Sequence, residues 1–373
     1  MKILITGGAG FIGSRLAEHF IKEGHEVRIL DNLLAQVHGE NPQIKFSEGE
    51  FVQGDVRDEQ IVATSMQGID VVHHLAAETG VGQSQYEIER YISTNTHGTA
   101  VVLQEAVRAN VKQVIIASSR AVYGEGLHIC DSCDARFVPQ PRGDADLAAG
   151  NWEVFCPKCN SVADAELMAE DDPTAPTSIY GLTKLQQEQI ASQVERAYSL
   201  PVTILRFFNV FGPGQSLGNP YVGVLGTFFR RIVSGEGIEV YEDGKMRRDF
   251  VFVEDIVEAL CRVTQNEKAF GATLNVGTGI GVTLKEIGKE IFRVLDREPQ
   301  IKISGRYRIG DVHHAVADVR KIASEIDYVP LTDFKTGLRA YLEWALANDA
   351  FDAQMDANAE KQLSDRNLLR QAK

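Results

Sequence analysis

The chain has 373 residues, 44% of them hydrophobic and 24% charged, with a formal charge of -14. That composition suits a globular chain with a large core in one or two domains. It argues against nonspecific nucleic-acid binding, which needs concentrated positive surface, and no apolar run reaches the roughly 20 residues of a membrane span.

The opening apolar run, Lys2-Ile3-Leu4-Ile5-Thr6, is too short for a secretion segment, so the cytoplasm is the expected compartment. It reads instead as a buried parallel strand. Gly7, Gly10 and Gly13 follow, and Phe11 to Glu23 has helical periodicity, with Ile12, Leu16, Phe20 and Ile21 on one side. Glu26 to Leu30 is a second strand, closed by Asp31. Strand, glycine turn and helix N-terminus can cradle a dinucleotide's pyrophosphate. Asp31 is placed to meet the adenosine ribose hydroxyls, which favours NAD over NADP because a 2′-phosphate would face its carboxylate.

Phe51 to Val56 ends a strand with Asp55, an acid within reach of the adenine. Val71 to Ala77 is the next strand, with His73 and His74 expected in the core. Asn95 heads a predicted helix running to Ala109 and is expected to cap it. Val114 to Ser119 is another strand, with its hydroxyls at the carboxyl end, where open α/β sheets keep their sites. The expected fold class is α/β: a Rossmann-like doubly wound parallel sheet with a smaller, discontinuous C-terminal substrate domain.

Residues 126–172 form a connection too long for a compact domain unless something organises it. Cys130-x-x-Cys133 and Cys156-x-x-Cys159 stand 22 residues apart and can close a tetrahedral thiolate site. A structural zinc with no open coordination position is expected there. Lys158, Arg136 and Arg142 are expected to offset the thiolate charge, and Cys261 to sit in the core.

Tyr180 and Lys184 lie four apart on a predicted helix and share a face. Tyrosine near its reference pKa of about 10 is a poor base at neutral pH. A nearby ammonium favours the phenolate, which can take a proton from an alcohol as hydride leaves. Ser119 can orient the same hydroxyl. Val202 to Phe207 extends the sheet, and Gly223 to Val233 reads as a helix. Residues 235–244 read as a hairpin-like lobe, Ala272 to Gly277 as a strand returning to the core, and 284–295 and 331–346 as helices. The expected domains are 1–208 for the cofactor, with the insertion 126–172, and 209–345 mainly for the substrate, with segments around 248–277 returning to the core. Residues 346–373 read as a polar tail, helical or frayed and without evident chemistry.

These segments resemble the extended short-chain dehydrogenase/reductase family, specifically its nucleotide-sugar epimerases and dehydratases. The likeness covers about residues 1–345. It is carried by Gly7 to Gly13, Asp31, Asp55, Ala76-Ala77, Asn95, Ser118-Ser119, Tyr123, Tyr180 and Lys184. Arg206-Phe-Phe-Asn209, Arg248-Asp-Phe-Val-Phe-Val-Glu-Asp255 and Arg308-Ile-Gly-Asp311 extend it. The resemblance implies a tightly bound NAD bordered by Phe11, Ile12, Asn32, Val56, Leu75, Ala76, Ala77, Asn95, Ser118, Phe207, Asn209 and Val210. It implies that Asn209, the segment from Pro220 to Thr227 including Val224, and Asp311 meet the sugar nucleotide. Arg248 and Arg308 would meet its diphosphate, since guanidinium forks suit phosphate oxygens. Glu78, Thr79 and Tyr86, in a polar glycine-rich segment, are candidates for touching the hexose or moving a proton, and Arg120 is counted with the substrate residues. A homodimer through the helices after residues 95 and 180 is also implied.

Dehydratases of the family carry an Asp-Glu pair after the catalytic Ser/Thr, where this chain has Arg120 and Ala121. Neither can supply the acid chemistry of dehydration at neutral pH. An epimerase needs only the Ser/Tyr/Lys set and a held NAD. A 4-epimerase is therefore the economical reading. The segments Ala77 to Tyr91 and Ser118 to Glu125, with the CxxC pairs, resemble the deoxysugar branch of the family, which implies a dTDP-6-deoxyhexose substrate; CDP- or UDP-sugar epimerases (2-epimerases included) and NAD(P)H-dependent 4-ketoreductases are the alternatives.

Overall fold

The structure, a computed structural model, describes residues 1–40, 42, 48–219, 221, 223–348 and 354–373. Seven strands, β1 (Lys2–Thr6), β2 (Glu26–Asp31), β3 (Glu50–Gln53), β4 (Val71–His74), β5 (Gln113–Ser119), β6 (Val202–Phe207) and β7 (Thr273–Val276), form a parallel sheet. Their order is β7-β6-β5-β4-β1-β2-β3. The order reverses at β1, where neighbouring crossovers diverge and open a crevice beyond the strand ends. The central strands are apolar on both faces because both are covered. Ile3 and Ile5 pack with Leu16 and Phe20 of helix Phe11–Lys22 and with Ile256 and Leu260 of helix Val253–Gln265. Leu4 and Val72 pack on the other side with Val102 and Ala106 of helix Gly98–Arg108 and Ala191 of helix Ile179–Tyr198.

A second lobe has its own core, in which Phe211, Phe228, Ile287, Tyr341 and Leu342 meet. The region 235–244 is not a hairpin. Strand Ile238–Val240 pairs in parallel with Ile301–Ile303, a partner some sixty residues away that no local pattern could reveal. The cysteine-bearing segment folds as a small antiparallel sheet, in the order Ala135–Phe137, His128–Cys130, Val162–Ala165, Val154–Phe155.

The chain end is more than a frayed tail. Residues 354–365 are a helix, and Leu369–Gln371 pairs antiparallel with Arg306–Arg308. Its docking satisfies a buried charge: Arg230, 1% exposed, donates through Nε to Asp356 at 2.8 Å. No helix among the described residues is long and apolar enough to cross a membrane.

His73 and His74 lie in the core as expected, at 0% and 1% exposure. His74 bridges Thr6 at 2.7 Å and Thr99 at 2.9 Å, while His73 meets Thr264 at 3.0 Å. Burial lowers both imidazoles to about 3, with Lys184 adding repulsion at His74. Both are therefore neutral when folded, and the unfolded chain binds more protons below about pH 6.5. Stability is expected to fall as pH drops from 6.5 towards 3, and His73→Gln to flatten that slope, measured by thermal denaturation at pH 7.5 and 5.5.

Candidate active site

A cavity of about 690 Å³ runs along the carboxyl ends of the strands and under the second lobe. One end is the glycine turn. Gly7 has φ +69°, and a Cβ on Gly13 would lie 2.3 Å from the Gly7 carbonyl, so only glycine allows the helix to start this close to β1. The first turn of helix Phe11–Lys22 has no side-chain cap, leaving its amides for an anion. Asp31 lines the same end, accepting from the Ala9 amide at 3.0 Å and the Leu33 amide at 2.9 Å. The cradle fits a dinucleotide pyrophosphate with its ribose beside Asp31.

The middle of the cavity holds Ser119, Tyr180 and Lys184. Ser119 ends β5 and caps the turn Arg120–Tyr123, accepting from the Ala121 amide at 3.2 Å. Ser178 caps the helix that carries Tyr180 and Lys184, accepting from the Gly181 amide at 3.1 Å. Gly181 decides how near they come. A Cβ there would lie 2.5 Å from the Ala121 carbonyl, so the missing side chain lets the helix rest on the turn after Ser119. Tyr180 shares a hydrogen bond with Ser119. Burial raises its hydroxyl above the usual value, while that bond and the Arg120 charge oppose the rise.

Lys184 is buried on the same helix. Its ammonium donates to the Ala117 carbonyl at 2.8 Å, and burial lowers it to about 7 against the pull of Glu188. The Arg120 guanidinium, itself lowered to about 10 by burial and by Arg248, also acts on Tyr180. Behind this set, Glu188 accepts from Ser118 and from Arg206 at 2.9 and 2.7 Å, and Arg206 donates to the Tyr123 hydroxyl at 2.8 Å. That buried network ties the helix to β5 and β6.

The far end lies under the second lobe. Asn209 accepts from Arg120 Nε at 3.2 Å. Arg248 is held by the carbonyls of Val312 (2.7 Å) and His313 (2.9 Å) and by the Asp311 carboxylate (3.0 Å). Arg308 rests over the Tyr241 ring at 5.0 Å, and its Nε is buried with no partner, a donor awaiting an acceptor. An anionic ligand supplies such an acceptor.

Of the remaining predicted residues, Gly10, Phe11, Ile12, Asn32, Val56, Leu75, Ala76, Ala77, Thr79, Ser118, Phe207, Val210, Val224 and Asp311 all border this cavity. Three do not. Asp55 is turned to Arg57 and Asn32, and the Arg57 hydrogen bond leads in holding its carboxyl down to about 2. Asn95 caps nothing. It sits in a widened turn, Ile92–His97, where its amide clasps the Glu78 backbone at 2.7 and 3.1 Å and Thr183 at 3.0 Å. Tyr86 bonds Tyr221 at 2.7 Å and Gln362 at 2.8 Å. Pro220 falls outside the described residues. Sequence reasoning missed Asp356, Ala359, Glu360 and Leu363 of the C-terminal helix, which border the cavity. A weakly patterned polar segment offers no local signal for that role.

The four insertion cysteines lie away from the cavity, their sulfurs all within 4.8 Å of one another. The two CxxC turns repeat one geometry. Asp134 and Asn160, both left-handed at φ +53° and +61°, donate their amides to the Cys130 and Cys156 carbonyls at 2.8 and 2.9 Å. Arg136 and Arg142 are engaged with carboxylates: Arg136 with Glu166, and Arg142 with Glu125 and Glu242.

A doubly wound dinucleotide fold with Ser, Tyr and Lys at the nicotinamide end of its cleft defines an NAD-linked enzyme of the short-chain dehydrogenase/reductase type. The model of the NAD dependent epimerase/dehydratase family matches residues 3–143 and 153–277, and the chain belongs to that family. It is 33% identical to dTDP-L-rhamnose 4-epimerase of Burkholderia thailandensis over 350 residues, 92% of this chain and 94% of that one. It is 30% identical to a UDP-N-acetyl-alpha-D-glucosaminuronate decarboxylase of Bacillus cytotoxicus, covering 92% and 97%. Among solved structures, MoeE5 in complex with UDP-glucuronic acid and NAD superposes with a TM-score of 0.75 at 29% identity, covering 93% of this chain and 100% of that one. UDP-glucose 4-epimerase of Thermotoga maritima, with UDP-glucose, gives 0.74 at 28%, covering 93% and 99%.

Gly181→Ala is expected to push Tyr180 away from Ser119 and lower turnover about 100-fold, since small misplacements at a reacting centre cost that much. Steady-state kinetics alongside a thermal melt will separate this from unfolding.

Proposed function

We propose that the chain is an NAD-dependent nucleotide-sugar 4-epimerase acting on a dTDP-6-deoxyhexose such as dTDP-L-rhamnose. The observation that carries this reading is one continuous cavity. It joins the glycine cradle, the Ser119–Tyr180 pair and the unpartnered Arg308 donor, with Arg120 and Ala121 where dehydration would need acids. The 33% identity to a dTDP-L-rhamnose 4-epimerase supports the choice of sugar.

Bound NAD supplies the hydride acceptor and donor. The chain's own groups do the rest. Ser119 orients the C4 hydroxyl, and Tyr180 takes its proton and later returns it. Arg120 offsets the phenolate charge. Lys184, tied to β5, is positioned to hold the nicotinamide ribose. Arg248 and Arg308 anchor the diphosphate, so the hexose can present either face while its far end stays fixed.

The four insertion thiols suit a structural zinc, because Zn–S bonds of about 2.3 Å place tetrahedral sulfurs under 4 Å apart. The Cys130–Cys159 and Cys133–Cys156 sulfur separations are 3.4 and 3.6 Å. Exposed Ile88, Ile92 and Leu182 on adjoining helices offer an apolar face for a homodimer.

Tyr180→Phe is expected to cut turnover by about 10²–10⁴-fold, the usual share of a general base, while co-purifying NAD stays near wild type. Full activity in that variant would refute the mechanism. A screen of dTDP-, UDP-, CDP- and GDP-sugars by NMR, with no cofactor added, should show a C4 epimer; turnover only with added NAD(P)H would make the enzyme a reductase. Metal analysis should find one zinc per chain, lost in Cys130→Ser or Cys156→Ser. A freshly reduced preparation without zinc would remove that assignment.

A further inference from the structure

Arg142 lies in the insertion, at a position with no counterpart in the catalytic set, yet it is among the most enclosed charges in the molecule. Its side chain is 5% exposed, and its partners Glu125 and Glu242 are each 1% exposed. It donates to Glu125 at 2.7 Å, to both Glu242 oxygens at 2.7 and 2.9 Å, and to the carbonyl of Asp311 at 3.0 Å. Glu242 reaches this pair from a left-handed backbone at φ +52°, a conformation that costs a non-glycine residue and holds only where its surroundings enforce it. Glu125 completes the clasp by accepting from the His313 amide at 2.8 Å.

The segment being clasped, 308–313, supplies Arg308 and Asp311 to the cavity and takes three of the hydrogen bonds that orient Arg248. Two more insertion contacts hold its start: Asp144 accepts from the Tyr307 hydroxyl at 2.8 Å, and the Trp152 ring packs on that of Tyr307 at 6.1 Å. Arg142 also donates to the Trp152 carbonyl at 3.4 Å, two residues before strand Val154–Phe155 enters the first thiol of its pair, Cys156. The family match breaks across residues 144–152, within this clamp.

We infer that Arg142 is a positioning residue through which the cysteine insertion sets the placement of Arg248 and Arg308, and hence the affinity for the nucleotide diphosphate. This rests on the reading in which those two arginines hold the diphosphate. Its consequence is confined to one end of the cavity: the glycine cradle and Tyr180 are held by other contacts.

The test measures dTDP and UDP binding by calorimetry in the NAD-loaded protein, with NAD content and melting temperature recorded for each variant. Binding of neither nucleotide by the wild type would overturn the diphosphate reading itself, and this inference with it. Given wild-type binding, Arg142→Met is expected to weaken it 10- to 100-fold with NAD content unchanged, and Arg142→Lys to recover part of the loss. With the preferred sugar, KM should rise and kcat change less than about twofold. Asp144→Ala, at an exposed edge of the clamp, should weaken binding several-fold, and it decides the matter if Arg142→Met fails to fold. Wild-type affinity in folded Arg142→Met, or in Asp144→Ala where that variant decides, would overturn the inference. So would loss of affinity that always tracks loss of NAD.

Discussion

The site depends on one close approach, that of Gly181 to the Ala121 carbonyl. A side chain there would stand 2.5 Å from that oxygen. Without it, helix Ile179–Tyr198 settles on the turn after Ser119, and two residues sixty positions apart come to share a hydrogen bond. The same logic recurs one step earlier, where a Cβ on Gly124 would lie 2.0 Å from the Ala175 carbonyl. The cysteine-bearing segment thus leaves and rejoins the sheet domain beside these two backbone contacts.

Buried charge organises the rest. Arg206 with Glu188, Arg142 with Glu125 and Glu242, and Arg230 with Asp356 are all nearly free of solvent. Each joins separate elements of the fold, from 17 residues apart for Arg142 and Glu125 to 126 for Arg230 and Asp356. Such pairs add little net stability over apolar packing, but a lost partner leaves an expensive orphan, so they specify which segments must meet. Arg206 fixes helix Ile179–Tyr198 to the sheet, Arg142 the cysteine-bearing segment to the second lobe, and Arg230 the C-terminal helix to the cavity rim. Asp311 shows the result at the cavity. Burial alone would raise its carboxyl, but Arg248, Arg308, Arg120 and Arg142 together hold it below the usual range.

The sheet, the glycine cradle and the Tyr180/Lys184 pair were legible because each is encoded locally. Apolar strand runs, glycine spacing and an i, i+4 interval need no knowledge of distant partners. Asn95 reads differently for the opposite reason: a cap is a local expectation, while the Glu78 backbone and Thr183 are what its side chain meets, and Asp55 is likewise held by Arg57 and Asn32. The strand 238–240 was read as half a hairpin because its true partner lies beyond any local window. The C-terminal helix carried no readable signal, since its role rests on Arg230 and Tyr221, over a hundred residues upstream.

By itself, the sequence determined the α/β class, the glycine turn, the spacing that puts Tyr180 and Lys184 on one helix and the grouping of four cysteines in two CxxC units. All follow from short-range spacing and residue chemistry. Only the tertiary structure showed that the Arg120 charge bears on Tyr180 and that Lys184 donates to the Ala117 carbonyl. It also decided which carboxylates Arg142 meets and that Asp356, Ala359, Glu360 and Leu363 of the C-terminal helix border the cavity. Those outcomes depend on which buried groups find partners across the fold, and burial is a property of the folded whole.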